Sequence, residues 1–123
     1  GVVIPKHHAA SVTSAVVKAS AGATEHMAMA EVTNIVSTLE DLKGRGFWTA
    51  GVAVEGDIPF TAFDYTTPAA IVVGNEGKGI RRLVREHCDS LVRIPMYGKL
   101  GSLNASVAGA LVMYEAARQR HRT

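Results

Sequence analysis

The sequence has little that would commit it to a membrane, a disulfide scaffold or a metal. A single cysteine, Cys88, excludes an internal disulfide and a CxxC pair, and leaves that residue to be read as a small buried hydrophobe. The longest apolar stretches, such as Ala69 to Gly74, fall far short of the roughly 20 residues a membrane helix requires. No charged, apolar and small-residue leader opens the chain, so the expectation is a soluble, cytoplasmic protein. His7, His8, His26, His87 and His121 show neither a zinc-binding spacing nor a cysteine set, and no metal is expected. Charge of one sign is also scarce: a net charge of +2 does not by itself establish a nucleic-acid partner.

What is present is 123 residues, 47% hydrophobic, enough for one compact domain. Val2 to Ile4 read as a short buried strand directly after Gly1, which suggests a domain fragment, a processed chain or a truncation. Val12, Val16 and Ala19 or Ala23 predict a helix over 9–21 with Gly22 as its C-cap. A short strand is expected at 25–30, then a helix capped by Asn34 and striped by Ile35, Leu39 and Leu42, ending at Gly44 and Gly46. Phe47 to Val54 form the next strand. Residues 55–68, rich in turn formers, read as a surface excursion.

Ala70-Ile71-Val72-Val73 is a continuous apolar run that suits a strand covered on both faces, and it opens into Gly74-Asn75-Glu76-Gly77-Lys78-Gly79. Ile80, Leu83 and Val84 predict a helix, Leu91 to Ile94 another strand, and Val107, Ala110, Leu111 and Tyr114 one shared face of a last helix. Regular alternation of strand and helix argues for an α/β fold with a mostly parallel sheet flanked by helices. Ligands of such sheets sit beyond the carboxyl ends of the strands.

Two loops leave such ends. The first has three glycines, which permit close ligand approach, yet it is neither a Walker loop nor a dinucleotide fingerprint, and a glycine-rich turn with no ligand stands beside the functional reading. In the second, Ile94-Pro95-Met96 through Ser102-Leu103-Asn104, Ser102 or Asn104 suits a helix N-cap. Glu76, Ser102 and Asn104 between apolar walls together describe a small-molecule pocket. Basic residues gather at Lys78, Arg81, Arg82, Arg85 and Arg93 and again at Arg118, Arg120, His121 and Arg122; solvated helix faces and a phosphate-binding surface account equally for them.

These paired loops resemble the second and third motifs of the SpoU/TrmH family of SPOUT methyltransferases: Ile71-Val72-Val73-Gly74-Asn75-Glu76-Gly77-Lys78-Gly79, and Ile94-Pro95-Met96 with Ser102-Leu103-Asn104-Ala105-Ser106-Val107-Ala108. The resemblance covers essentially the whole chain and is nearest to bacterial enzymes that methylate a guanosine ribose in large-subunit (23S) ribosomal RNA. It implies a C-terminal trefoil knot, a homodimer, and bent S-adenosylmethionine held around Gly74, Ile94, Met96 and Leu103, with Gly51 and Ala53 near it. It carries Glu76, Ser102 and Asn104 over as active-site residues, and suggests Lys78, Arg81 and Arg82 as contacts to RNA phosphates. The family's first motif, with the arginine credited with activating the ribose hydroxyl, has no counterpart in residues 1–123. Residues 1–123 are therefore expected to be one SpoU-type domain lacking its first strand, first helix and that motif, and inactive alone. The alternatives are a non-catalytic RNA-binding or dimerisation module that keeps the fold, a tRNA guanosine 2'-O-methyltransferase, and, more remotely, a nucleotide-binding α/β domain.

Overall fold

The computed structural model describes residues 1–6, 27–74, 79–98 and 105–121. The helix expected over 9–21, most of the loop after Val73, and Lys99 to Asn104 lie outside them. The chain divides into two units, Gly1–Thr38 and Leu39–Thr123.

In the first unit β1 (Val2–Pro5) pairs in parallel with β2 (Met29–Val32), Val2 opposite Met29. The second strand thus runs later than the 25–30 expected from sequence. Asn34 caps helix α1 (Ile35–Gly44) as its side chain predicts: Oδ1 accepts from the Ser37 backbone N–H at 3.1 Å, satisfying one of the donors a helix start leaves open.

The second unit holds a four-stranded sheet in the order β4-β6-β3-β5, with every described pairing parallel. Its strands are β3 (Trp48–Val52), β4 (Ile58–Pro59), β5 (Ala69–Val72) and β6 (Ser90–Arg93). Helices α2 (Arg82–Glu86) and α3 (Ala105–Arg120) complete it. Mixed α/β with parallel sheets, as read from the alternation, is what the chain adopts.

Alternation along β3 assigns the two faces of the sheet. Ala50 joins Phe63, Tyr65, Val92 and Val112 in the core on one face. Thr49 and Gly51 belong to the other: Thr49 Oγ1 donates to Asp89 Oδ2 at 3.0 Å and accepts from the Asp89 N–H at 2.8 Å, fastening the start of β6 to the start of β3. Cys88 is half-buried there, its Sγ donating to the Val84 carbonyl, and burial pushes its thiol pKa up.

One sequence expectation is corrected. Residues 55–68 are not merely a surface excursion: they contain β4, a 3-10 turn (Phe60–Ala62), and the core residues Phe63 and Tyr65, whose rings lie 4.9 Å apart. Their turn formers shape the chain, but their aromatics fill the sheet face. On α3 the buried stripe is Ala108, Gly109, Val112 and Glu115, while Val107, Leu111 and Tyr114 are exposed. Small residues let the helix come close, so that a Cβ on Gly109 would stand 3.3 Å from Val73 Cγ2. Glu115 tolerates burial because Arg118 Nε and Nη2 donate to its two oxygens at 2.6 and 2.9 Å, and Gln119 Nε2 donates at 2.9 Å.

Candidate functional site

Parallel pairing brings the carboxyl ends of three strands to one edge. Gly51 is in register with Val72 of β5 and with Leu91 of β6. The same register carried two residues onward sets Ala53 level with Gly74 and with Arg93, one residue before Ile94. Gly51, Ala53, Gly74, Ile94 and Met96, far apart in sequence, therefore meet along one edge, where open parallel sheets take their ligands. Ala53, Gly74, Ile94 and Met96 are half-buried there.

Why these residue types stand here is partly a matter of packing. A Cβ on Gly51 would come within 2.9 Å of Cys88 Sγ, 3.0 Å of Leu91 Cδ2 and 3.1 Å of Ile80 Cδ1. Its bareness admits the segment that carries α2. At Gly74 a Cβ would overlap the Gly79 backbone, and Gly79 itself has φ +67°, in the left-handed region. The backbones of Gly74 and Gly79 thus stand in close approach, which a side chain at Gly74 would block, while the left-handed conformation at Gly79 favours glycine there.

The segment after β3 is fastened over β6. The Ala53 N–H donates to the Val92 carbonyl at 2.9 Å and the Asp57 N–H to the Leu91 carbonyl at 2.8 Å. Gly56 rides so close that a Cβ would sit 2.5 Å from the Val92 carbonyl carbon. Arg93 Nη1 donates to the Gly56 carbonyl at 3.2 Å, and Arg85 forms an ion pair with Glu55. Backbone hydrogen bonding first, then Arg85, holds the Glu55 carboxyl below its ordinary range. Sequence reading singled out neither Glu55 nor the close approach of Gly56; a glycine between turn formers carries no sign of which backbone it will touch.

Gly79, whose backbone stands against Gly74, leads through Arg81 and Arg82 into α2. Both are exposed. Arg82 pairs with Glu86 one turn on at 3.0 Å, whereas Arg81 has no side-chain partner among the described residues. Tyr97, just past Met96, is 95% exposed. Of the other residues expected in the site, Glu76, Lys78, Ser102, Leu103 and Asn104 lie outside the described residues. Among the described residues no group of three or more His, Cys, Asp or Glu is placed to hold a metal, and no helix is long and apolar enough to cross a membrane. A cavity of about 230 Å³ lined by Lys43, Gly46, Phe47, Trp48 and Asp89 lies at the opposite, amino edge of β3 and shares no residue with this site.

Comparison with known proteins gives the arrangement its kin. The sequence profile described as the SpoU rRNA Methylase family matches residues 1–114. YacO of Bacillus subtilis, assigned to the TrmH family of tRNA/rRNA methyltransferases, is 50% identical over 121 residues, covering 98% of this chain and 49% of YacO. The chain thus spans about half the length of the curated relatives it matches. Among solved structures, the TrmH/SpoU tRNA modifying enzyme of A. aeolicus superposes with a TM-score of 0.83 at 32% identity, covering 97% of this chain and 61% of that one. The SpoU methyltransferase AviRb of Streptomyces viridochromogenes, in complex with the cofactor AdoMet, superposes with a TM-score of 0.86 at 30% identity, over 96% of this chain and 49% of AviRb. With its profile matched from residue 1 to 114 and its parallel fold shared with these enzymes, the chain belongs to the SpoU rRNA methylase family.

Proposed function

We propose that residues 1–123 are one knotted SpoU-type methyltransferase domain that takes part in transferring a methyl group from S-adenosylmethionine to a ribose 2'-hydroxyl of RNA in the cytoplasm, the target being a guanosine of 23S ribosomal RNA. The observation that carries this reading is the level register of Gly51, Val72 and Leu91, which brings the carboxyl ends of β3, β5 and β6, and the residues that follow them, to one edge. Half-buried Ala53, Ile94 and Met96 offer apolar surface, and the strand ends beside them offer backbone groups. That combination suits an adenosine-bearing ligand better than a phosphate, which calls for a ring of N–H donors or cations.

On this reading Gly51, Ala53, Gly74, Ile94, Met96 and Leu103 hold the cofactor, which when bound supplies a methyl group already activated on a sulfonium. The protein has to align the ribose oxygen and shield it from water. Glu76, Ser102 and Asn104 are assigned to that positioning. Lys78, Arg81 and Arg82 neutralise RNA phosphates, so RNA affinity falls as salt rises. Activation of the hydroxyl is assigned to the arginine of the family's first motif, and residues 1–123 by themselves are expected to bind without transferring. A homodimer formed through the exposed Val107, Leu111 and Tyr114 stripe completes the proposal; apolar residues in line on a helix are supported by a partner helix more often than by water.

The test is a chimera in which the segment of YacO preceding its matched region is joined to Gly1, incubated with methyl-tritiated S-adenosylmethionine and ribosomal RNA. Label should appear in alkali-resistant dinucleotides, because a methylated 2'-oxygen cannot attack its phosphate, and the unjoined chain should give none. A chimera that binds the cofactor but leaves every RNA unlabelled, while YacO itself labels it, would favour the non-catalytic module.

A further inference from the structure

Tyr97 is the most exposed large hydrophobic residue of the described chain, at 95%, and it stands four residues beyond the end of an interior strand. An aromatic ring held in water at that place has no fold contact to explain it. Its position does: β6 delivers it to the same carboxyl edge as Ala53, Gly74 and Arg81. Counting across the sheet, β6 and β5 are separated only by β3, so the carboxyl ends of these two strands lie about two strand spacings apart, roughly 10 Å. An exposed ring and an arginine without a side-chain partner among the described residues thus flank the strand ends. This is the pairing used for single-stranded nucleic acid, a flat face for a base and a cation for the backbone.

We propose that Tyr97 is a stacking platform for a nucleobase of the single-stranded RNA presented at this edge, with Arg81 meeting a neighbouring phosphate. The inference rests on the methyltransferase reading for the kind of ligand and goes beyond it in naming how a base is held. Stacking uses the π-face, so the hydroxyl contributes little and any base is accepted. Because no charge is involved, the salt dependence of binding is set by Arg81 and its basic neighbours, not by Tyr97.

The experiment is fluorescence anisotropy of labelled single-stranded 12-nucleotide RNA of mixed sequence with the full chain, Tyr97→Ala, Tyr97→Phe and Arg81→Gln, alongside calorimetry with S-adenosylmethionine. Tyr97→Ala should weaken RNA binding about 5- to 100-fold with an unchanged salt slope, and Tyr97→Phe should stay within about twofold of the parent. Arg81→Gln should lower the slope by about one. On an abasic oligonucleotide of the same length the parent and Tyr97→Ala should bind alike. Equal affinity of the parent and Tyr97→Ala for the base-bearing RNA, or an equal loss on the abasic strand, overturns the platform. So does a chain that binds S-adenosylmethionine but no RNA, and that outcome leaves the cofactor reading standing. Loss of S-adenosylmethionine affinity in Tyr97→Ala would make Tyr97 part of the cofactor wall instead, whereas failure of the parent chain to bind the cofactor strikes the underlying reading.

Discussion

Glu115 is the residue whose chemistry is most at odds with its surroundings. It is 5% exposed and its carboxyl is drawn down to about 2, first by the hydrogen bonds from Arg118 and Gln119. A folded-state pKa below the ordinary 4.5 means that its contribution is complete above about pH 4.5 and is lost as pH falls through 2. Glu115→Gln should therefore destabilise the chain by on the order of 1–3 kcal/mol at neutral pH. Urea unfolding at pH 7, 4 and 2.5 should show the gap between parent and variant closing with acidity; a constant gap would mean that the ionised form is not what the fold favours. This residue was not legible in the sequence. A glutamate on a helix reads as solvated, and only the i+3 and i+4 donors, together with the small residues Ala108 and Gly109 on the same face, allow it inside. Gly74 was legible, because a glycine at the end of an apolar strand run already limits what can follow it. Gly56 was not, because its reason lies in the backbone of β6, 36 residues away.

At the scale of elements, the end of α3 acts as a latch on the strand-to-strand connection before β5. Gln119 Oε1 accepts from the Tyr65 N–H at 2.9 Å and its Nε2 donates to the Phe63 carbonyl at 2.9 Å; Arg120 Nε donates to the Tyr65 carbonyl at 2.7 Å. A buried irregular segment cannot satisfy its own peptide groups, so a helix does it. Gln119→Ala would leave both groups unpaired, and a loss of about 2 kcal/mol in unfolding free energy is expected, with faster exchange of the Tyr65 amide. Gln119→Glu, which keeps the acceptor for that amide but sets a second carboxylate against Glu115 and the Phe63 carbonyl, should be at least as destabilising as Gln119→Ala at neutral pH. Equal stability of all three would show that water replaces the latch. Strand and helix alternation located nearly every described element, and Asn34 marked a helix start correctly. Val107, Leu111 and Tyr114 do share one face of α3, but hydrophobicity does not tell that close approach to the sheet falls to Ala108 and Gly109.

For the whole molecule, the exposed apolar stripe of α3 supplies a prediction of its own. Val107, Leu111 and Tyr114 are 47%, 40% and 75% exposed and follow one another at helical spacing. If they meet a second copy, sedimentation should give a dimer for the parent chain and a monomer of unchanged circular dichroism for Leu111→Glu combined with Tyr114→Glu. A parent chain that sediments as a monomer at high micromolar concentration removes the dimer. The parallel architecture and the family were both readable from the two loop motifs. That Ala53, Gly74 and Ile94 lie near one ligand was readable only through the family resemblance, since strand register is not encoded by spacing within one segment.

The most direct test of the proposed site is calorimetric titration of the chain with S-adenosylmethionine beside a Gly74→Leu variant, whose side chain must displace the Gly79 backbone. Saturable binding by the parent, with none by a variant that remains folded, is the expected result. Equal binding by both, or none by a demonstrably folded parent, would contradict a cofactor site at the carboxyl edge of this sheet.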